Sequence, residues 1–311
     1  MTQTVGAAAG DCEGVFDANV SFIAVDWGST TRRVYSLGRD GRLVDARQAP
    51  LGVAGLAPGQ ARAEVAALRA RLGKRPMLLA GMIGSDRGIG GVGYIACPAG
   101  LDDITAGLVE IDPYGAIVPG LAECEGLHRD VMRGEEVIVL GAVVDGSVPP
   151  DAMACQPGTH NKWVTIERGC VTGIRTLMTG EIFGLVRDHG LIAPLMTTPP
   201  RDDGAFREGV EAGLDGRGAF AALFSARARA LLDPRLAETT SSYVSGLLIG
   251  DDVRVGLAGH SGPVHVLGSG ELAGLYRSAI DAAGYRSIEV DSTTAFLAGA
   301  RAIALRLGWL Q

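Results

Sequence analysis

Short apolar runs that end in glycine turns alternate along this chain with longer stretches of helical periodicity. The first run, Phe22–Val25, stops at Asp26 and predicts a strand, and two more strands, Arg33–Leu37 and Leu43–Gln48, follow across tight turns. Strands joined by turns this short pair in antiparallel fashion. The pattern therefore predicts an opening antiparallel meander, which is found in neither a P-loop nor a dinucleotide-binding fold.

Two helices and a glycine-rich loop follow the meander in the first half of the chain. Pro58–Leu72 has its apolar side chains at helical spacing, and Met77–Ala80 predicts a short buried strand. That strand leads into the loop Gly81–Gly91, and Ala116–Val118 predicts a further strand. An apolar helix opens after this strand, and we predict that Asp130 lies in its first turn.

The second half of the chain repeats the order of the first. A strand at Ala152–Gln156 is followed by a glycine turn, Pro157–Trp163, and by strands at Val164–Glu167 and Val171–Arg175. The later segments of regular pattern are helices at Ile182–His189, Ser241–Gly250 and Thr293–Leu307 and strands at Val264–Leu267 and Ser287–Val290. Strand, glycine turn and two further strands thus occur twice, about 130 residues apart, which indicates an internal repeat of architecture.

This repeat predicts an α/β fold with two related domains. A glycine- and proline-rich break at Asp145–Asp151 marks the boundary between them. The predicted units are a disordered tail over 1–19, an N-terminal domain over 20–146 and a C-terminal domain over 147–311, with a last helix that could pack back on the first domain. Two such domains facing each other place one glycine turn on each wall of a shared cleft.

The composition is that of a soluble globular protein with an acidic balance. Of 311 residues, 47% are hydrophobic and 20% charged, and the net charge of −7 argues against a nucleic-acid partner. No run approaches the ~18 apolar residues of a membrane-spanning helix, so no membrane partner is expected. The five cysteines are far apart without a CxxC pair, which predicts reduced thiols and a cytoplasmic location. A monomer and a homodimer both remain open.

The end of the first strand carries residue types that bind a phosphate and its metal. Gly28 permits close approach of the backbone, and the N–H groups and hydroxyls of Ser29 and Thr30 can donate to phosphate oxygens. The carboxylate of Asp26 can hold a hydrated Mg²⁺. An ordinary hairpin turn with an exposed Asp is the alternative, because short glycine motifs recur by chance.

Two other glycine-rich stretches raise the same choice between binding and plain architecture. Gly268–Gly270 separates a strand from a helix, which suits the phosphates or adenosine of a nucleotide but is also common in strand-to-helix turns. The loop Gly81–Gly91 contains Ser85, Asp86 and Arg87, which can bind hydroxyls and a carboxylate. That loop is either a substrate loop or a mobile surface loop.

Six short blocks occur in a fixed order along the chain. They are Val25–Thr30, Ala80–Ser85, Val131–Glu136, Pro157–Trp163, Met178–Glu181 and Ser245–Gly250. In this order they resemble the 2-dehydro-3-deoxygalactonokinases, which are bacterial sugar-acid kinases, and the likeness extends over Phe22–Leu307. This family belongs to the group of actin, hexokinase and heat-shock ATPases. The resemblance therefore implies two ribonuclease-H-like domains with nucleotide in the cleft between them.

The resemblance also implies ATP and Mg²⁺ as cofactors and assigns roles to individual residues. The implied nucleotide-binding residues are Asp26, which would also orient the metal, Gly28, Ser29, Thr30, Gly158, Thr159, Lys162, Gly268, Ser269 and Gly270. The implied substrate-binding residues are Ser85, Arg87, Arg133, Gly180 and Glu181, with Arg175 as another candidate cation for a sugar-acid carboxylate. Each of these arginines could equally form an exposed salt bridge.

The implied reaction transfers the γ-phosphoryl group of ATP to the 6-hydroxyl of 2-dehydro-3-deoxy-D-galactonate. Such a transfer needs charge neutralisation, in-line positioning and a base for the hydroxyl proton. Glu135 and Asp130 are the candidates for that base, with Asp86 as a third. Position favours Glu135, because a glutamate at a similar helix start activates the nucleophile in exopolyphosphatases of the same superfamily. Closure of the two domains over the sugar acid would exclude water.

Three other functions compete with this prediction. An exopolyphosphatase-like hydrolase would release phosphate without a sugar acid, but it requires a basic channel that the net charge of −7 does not favour. Another sugar kinase of the same fold would differ only in its acceptor, which phosphate motifs do not select. A nucleotide-dependent assembly or sensor protein would require assembly surfaces or a DNA-binding segment, and the sequence indicates neither.

Overall fold

The structure is a computed structural model that describes residues 19–124 and 129–310. The predicted disordered tail, except for Asn19, and Cys12 lie outside the described residues. The cysteines inside these ranges, Cys97, Cys124, Cys155 and Cys170, are free thiols. Within the same ranges, no helix combines the length and the apolar character needed to cross a membrane.

The regular elements alternate between strands and helices along the described chain. The strands are β1 (Val20–Trp27), β2 (Arg32–Gly38), β3 (Leu43–Ala49), β4 (Met77–Gly81), β5 (Tyr94–Ala96), β6 (Val109–Asp112), β7 (Gly115–Ile117), β8 (Gly120–Glu123), β9 (Asp130–Met132), β10 (Ala152–Gln156), β11 (Asn161–Glu167), β12 (Cys170–Leu177), β13 (Val264–Leu267) and β14 (Ser287–Val290). The α-helices are α1 (Gln60–Leu72), α2 (Leu101–Ala106), α3 (Glu135–Val144), α4 (Thr179–His189), α5 (Gly204–Leu214), α6 (Ala219–Ala222), α7 (Phe224–Leu232), α8 (Thr240–Gly256), α9 (Glu271–Ala282) and α10 (Ser292–Arg306).

Two sheets have the same strand order, which is the architectural repeat that the sequence predicts. The first sheet runs β3-β2-β1-β4-β7-β6, and the second runs β12-β11-β10-β13-β14. In the first sheet β1 pairs antiparallel with β2 and parallel with β4, and in the second β10 pairs antiparallel with β11 and parallel with β13. The predicted meander and its duplicate are therefore confirmed.

The strands at the centre of each sheet are buried because helices or the other half of the chain cover both sheet faces. Phe22 to Val25 on β1 and Ala154 and Cys155 on β10 are all fully buried. The central strands β1 and β10 both end at the turns that follow Trp27 and Gln156. The sheet core thus fixes the position of the two predicted phosphate turns.

A third, three-stranded sheet in the order β5-β8-β9 was not predicted from the sequence. It contacts the second sheet through the paired backbone of Ala99 and Val171, whose N–H groups donate to each other's carbonyls at 3.0 and 2.9 Å. The backbone N–H of Ile174 on β12 also donates to the Glu123 carboxylate at 2.7 Å. The third sheet therefore links the two halves of the chain.

The prediction that Asp130 lies in the first turn of a helix is wrong. Asp130 belongs to β9, which pairs antiparallel with β8, and α3 begins only at Glu135. Gly134 separates the two elements with φ +105°, a left-handed conformation that a right-handed helix cannot include. The acidic residues of this segment therefore lie on two elements instead of one.

Glycines allow the closest helix packing in the molecule. An added Cβ at Gly246 on α8 would lie 2.0 Å from the Phe206 carbonyl on α5, and one at Gly250 would lie 2.5 Å from that of Val210. Side chains are therefore excluded at Gly246 and Gly250, where α5 and α8 are in backbone contact. The last helix, α10, also packs closely on α3. The domain bounds 20–146 and 147–311 stay a prediction.

Candidate active site

The turn after β1 is held from behind by the segment 52–54. The carbonyls of Gly28, Ser29 and Thr30 accept backbone hydrogen bonds of 3.0, 2.9 and 3.1 Å from Val53, Ala54 and Gly52 respectively. Only glycine fits at position 52, because a Cβ there would lie 2.1 Å from the Ser29 carbonyl oxygen. Among the described residues, the N–H groups of Ser29 and Thr30 donate to no acceptor. This turn therefore presents uncommitted donors to an anion.

Asp26 lies at the end of β1, directly opposite Arg33 on β2. Its Oδ2 accepts a hydrogen bond from Arg33 Nη1 at 2.9 Å, and only 20% of the side chain is exposed. Burial raises the pKa of Asp26, while the positive charge and hydrogen bond of Arg33 oppose the rise. Arg33 thus favours an ionised carboxylate at the position predicted to orient a metal.

The turn after β10 is held by the start of α4. A Cβ at Gly180 would lie 2.6 Å from the Gly158 carbonyl oxygen, and Glu181 N–H donates to the Thr159 carbonyl at 3.0 Å. The Glu181 carboxylate contacts His160 Nε2 at 2.5 Å. Gly180 and Glu181, which the resemblance assigns to the sugar acid, thus both pack against the turn of Gly158 and Thr159, and their substrate role stays a prediction.

Glu135 is the first residue of α3, and charged groups from both main sheets influence its pKa. Its Oε2 accepts a hydrogen bond from the backbone N–H of Arg133 at 2.9 Å. Burial raises the pKa of Glu135, the ammonium of Lys162 opposes the rise, and the negative charge of Asp26 adds to it. The pKa of Glu135 is therefore influenced by one charged group from each of the two main sheets, Asp26 on β1 and Lys162 on β11.

Lys162 lies within β11 and not in the turn where the sequence placed it. Its side chain is buried, and its ammonium donates to the Thr176 hydroxyl at 2.7 Å and to the Val131 carbonyl at 2.9 Å. The ammonium thus crosses from the second sheet to β9, close to Glu135. This placement moves the positive charge of Lys162 from the phosphate turn towards the predicted base.

The Asp130 carboxylate is committed to hydrogen bonds that join β9 to β12. It accepts from the backbone N–H and from the hydroxyl of Thr176, each at 2.6 Å, and from the backbone N–H of Val131 at 2.7 Å. These hydrogen bonds engage both oxygens of the Asp130 carboxylate with protein donors, so neither oxygen is left free for a substrate hydroxyl. Between the two candidate bases, this geometry favours Glu135.

The predicted substrate residues near the glycine-rich loop have different environments. Arg133 is 8% exposed, donates to the Val92 and Gly93 carbonyls at 2.8 and 3.1 Å, and stacks on the Tyr94 ring at 4.3 Å. Ser85 donates to the Met82 carbonyl at 2.6 Å. Arg133 and Ser85 therefore both shape the loop. Arg87 is exposed and has no ion pair with any residue in the described ranges.

The third glycine turn lies where the sequence placed it. β13 ends at Leu267 and α9 begins at Glu271, so Gly268, Ser269 and Gly270 form the whole connection. Gly268 N–H donates to the Val290 carbonyl at 3.0 Å, and Gly270 has φ +84°. The turn therefore directs the N-terminus of α9 towards the end of the second sheet, where a polar ligand could contact it.

Gln156 is a candidate site residue that the sequence analysis missed. It precedes Gly158 by two positions, as Asp26 precedes Gly28, and it pairs with Lys162 as Asp26 pairs with Arg33. Its Oε1 is buried and has no hydrogen-bond partner in the described part of the chain. The shared spacing to a glycine was the signal that could have identified it.

Glu136, next to the predicted base, has a raised pKa that can be tested through the pH dependence of stability. It is fully buried, its Oε2 accepts from Gly134 N–H at 2.7 Å, and burial together with the charge of Glu135 raises its pKa to about 8. Because the folded state holds this proton more tightly than the unfolded chain, its stabilising effect is complete below the unfolded pKa of 4.5 and is lost as pH rises towards 8.

We expect Glu136→Gln to raise the free energy of unfolding relative to wild type above pH 7, and to do so progressively less down to pH 5. Glutamine keeps an oxygen for Gly134 N–H but carries no charge to desolvate. Denaturant unfolding at pH 5, 7 and 9 measures the difference, with Glu238→Gln at an exposed position as the control. A difference that stays constant with pH would show that Glu136 does not titrate as described.

Sequence relatives identify the family to which these motifs belong. Residues 26–303 match the 2-keto-3-deoxy-galactonokinase family. The chain is 34% identical over 288 residues to the 2-dehydro-3-deoxygalactonokinase of Escherichia coli (strain K12), covering 91% of this chain and 97% of that protein. It is 34% identical over 297 residues to a Rhizobium meliloti (strain 1021) protein of the same enzyme name, DgoK1, at 91% and 96% coverage.

A solved structure confirms the fold. The chain superimposes with a TM-score of 0.83 and 32% sequence identity on a crystal structure assigned to a 2-dehydro-3-deoxygalactonokinase from Sinorhizobium meliloti, covering 92% of this chain and 99% of that one. The predicted α/β fold with two related sheets is therefore confirmed. The family match and these relatives together show that the chain belongs to the 2-keto-3-deoxy-galactonokinase family.

Proposed function

We propose that this protein transfers the γ-phosphoryl group of ATP to the 6-hydroxyl of 2-dehydro-3-deoxy-D-galactonate. The names of its relatives support the acceptor. One structural observation carries the chemistry. Glu135 begins α3 directly after Gly134, which packs against Gly81, the residue paired with Trp27 at the end of β1. The Lys162 ammonium of the second sheet donates to the Val131 carbonyl on the preceding strand β9 at 2.9 Å. A proton acceptor between two phosphate-binding turns is the arrangement that phosphoryl transfer to a hydroxyl requires.

The residues present fit ATP and Mg²⁺. Among the described residues, the backbone N–H groups of Ser29, Thr30, Gly158 and Thr159 have no intramolecular acceptor, so each turn offers donors to phosphate oxygens. Asp26 and the unpartnered Oε1 of Gln156 would hold Mg²⁺ through its water ligands. When bound, Mg²⁺ neutralises phosphate charge. Gly268, Ser269 and Gly270 would contact the adenosine side of the nucleotide.

The chain's own residues supply the remaining steps of the reaction. Glu135 accepts the proton of the attacking 6-hydroxyl through Oε1, while Oε2 stays bonded to Arg133 N–H. The oxygen of that hydroxyl forms a bond to the γ-phosphorus as the bond from this phosphorus to the β,γ-bridging oxygen breaks, which gives ADP and the sugar-acid phosphate. Lys162 opposes the rise that burial causes in the pKa of Glu135 and so favours the ionised form that accepts a proton.

The glycine-rich loop is the proposed binding site for the sugar acid. Arg87 is exposed and without an ion pair in the described ranges, so its guanidinium is available to pair with the substrate carboxylate. Arg133 holds the loop in place through Nη2, which donates to the Val92 and Gly93 carbonyls, while its buried Nε and Nη1 have no partner in the described ranges and could also bind the substrate. The free thiols of the described residues agree with a cytoplasmic location, which we include in this proposal.

A coupled ADP-release assay tests the proposed function. We expect turnover with ATP, Mg²⁺ and 2-dehydro-3-deoxygalactonate, and little turnover with the gluconate epimer, glucose, glycerol or no acceptor. Omitting Mg²⁺ is expected to abolish the reaction, and addition of excess EDTA to a running assay should stop it. Equal ADP release without an acceptor would contradict the kinase proposal and favour a phosphohydrolase. Turnover with glucose alone would keep the kinase chemistry and refute the proposed acceptor.

A further inference from the structure

A buried carboxylate outside the proposed catalytic cluster connects the elements that carry the nucleotide turns. Asp252 lies in the last third of α8 and is 1% exposed. Its Oδ1 accepts from Asn161 Nδ2 at 2.8 Å and from Trp163 Nε1 at 2.7 Å. Its Oδ2 accepts from the hydroxyls of Thr179 and, at 2.7 Å, Tyr276. Four side-chain donors thus converge on one ionisable group.

The four donors come from three elements, of which β11 and α9 begin directly after turns assigned to the nucleotide and α4 packs against one of these turns. Asn161 is the first residue of β11, directly after the turn that contains Gly158 and Thr159. Thr179 is the first residue of α4 and precedes Gly180, which packs on that same turn. Tyr276 lies on α9, which begins directly after Gly270. Asp252 therefore connects the turn of Gly158 and Thr159 to the helix that follows the turn of Gly268–Gly270.

The surroundings of Asp252 require a hydrogen-bond acceptor at this position. Apolar side chains of the same cluster, including Trp163, Val253 and Tyr276, surround the position, so without Asp252 the buried donors Asn161 Nδ2 and Trp163 Nε1 would lose their acceptor. Burial raises the pKa of Asp252, and the four hydrogen bonds oppose this rise. A single carboxyl group that accepts from four donors fixes several side chains at defined angles, which apolar packing does not do.

We propose that Asp252 is a positioning residue that sets the turn of Gly158 and Thr159 in register with the turn of Gly268–Gly270, so that ATP meets both. This inference rests on the proposed placement of the nucleotide. It gives Asp252 no contact with either substrate, and its effect is transmitted through Asn161, Thr179 and Tyr276. The binding of ATP should therefore depend on Asp252. The binding of the sugar acid, whose proposed site lies in the first half of the chain, should not depend on it.

Asp252→Asn tests this proposal. The asparagine oxygen can still accept from Asn161 and Trp163, and its amide can donate to the two hydroxyls, so the fold should persist while the charge-assisted bonds are lost. We expect the KM for ATP to rise roughly tenfold or more, with the KM for the sugar acid within about twofold of wild type. Asp251→Asn is the matched control, since Asp251 is the adjacent residue and pairs only with Arg254.

Tyr276→Phe provides a second, independent variant if Asp252→Asn fails to fold. It removes one donor to Asp252 while the buried ring stays in place, and we expect the same selective rise in the KM for ATP. Equal changes for both substrates, or no change in the KM for ATP, in a folded variant would overturn the positioning role. Gly180→Ala distinguishes the positioning role of Asp252 from the proposed nucleotide site itself, because the added Cβ would displace the Gly158 turn directly. An unchanged KM for ATP in that variant would instead refute the proposed nucleotide site.

Discussion

Glu135→Gln is expected to lower kcat by about 10²- to 10⁴-fold, which is the usual contribution of a general base. The substitution keeps an oxygen to accept the 2.9 Å hydrogen bond from Arg133 N–H, so α3 should begin as before. It removes the group that takes the proton of the attacking hydroxyl. The KM for ATP and the KM for the sugar acid should therefore stay near their wild-type values. Steady-state kinetics of the purified variant, with circular dichroism as a fold check, measures the effect.

The pH profile gives the same assignment a second readout. Burial raises the pKa of Glu135 above 4.5, and only the ionised form accepts a proton, so wild-type kcat should rise with pH through this raised pKa. That acid limb should be absent from the residual activity of Glu135→Gln. A limb that persists unchanged in the variant would show that another group titrates.

Asp130→Asn is the comparison that decides between the two candidate bases. The Asp130 carboxylate is held by the backbone N–H and hydroxyl of Thr176 and by Val131 N–H. We expect its substitution to weaken the contact between β9 and β12 and to lower kcat by less than about tenfold, since a single exchanged hydrogen bond costs on the order of 1 kcal/mol. A larger loss of kcat in Asp130→Asn than in Glu135→Gln would reverse the assignment.

The sequence predicted the sheet cores and the turns that follow them, because both are specified by local residue types. The strands at Val264–Leu267 and Ser287–Val290 were predicted with the bounds that the structure shows. Short apolar runs next to glycine leave little choice of conformation. For the same reason, the three glycine turns lie at strand ends, where the sequence placed them.

The third sheet could not be predicted because its stability comes from distant parts of the chain. β5 and β9 have three residues each, too few to show an alternating pattern. The sheet is held by contacts such as that between Ala99 and Val171 and by the bond from Ile174 N–H to Glu123. This missing sheet is the reason that Asp130 was assigned to the wrong element.

The polar residues of the site were only partly predictable, because the sequence does not show which side chains are already paired. Arg133 and Arg87 have the same chemistry, yet one is buried against the Val92 and Gly93 carbonyls and the other is exposed. Asp252 was missed because the predicted helix ends at Gly250, which leaves Asp251 and Asp252 in a connection where charged residues are usually solvated. Its position four residues after Leu248, on a buried face of α8, was the available signal.

Gly299→Ala is expected to lower the free energy of unfolding by about 1–3 kcal/mol or more, the usual cost of overpacking, and to reduce kcat as well. A Cβ at Gly299 on α10 would lie 2.2 Å from the Val137 carbonyl oxygen, and one at Gly141 on α3 would lie 2.0 Å from that of Ala295. Both contacts are with backbone, so they can be relieved only by separating the helices. Because α3 begins with Glu135, this separation would also move the proposed base.

Denaturant unfolding and steady-state kinetics on one preparation of Gly299→Ala measure both effects. Gly274→Ala is the matched control, because Gly274 lies inside α9 and an added Cβ there meets no atom within 4 Å. Alanine is the better helix former by about 1 kcal/mol, so the control should be as stable as wild type or more stable, with unchanged kcat. If Gly299→Ala behaved like this control, α10 and α3 could not be in the close contact described. A loss of stability without a loss of kcat would show that Glu135 does not depend on this packing, since a displaced base must lower the rate of proton transfer.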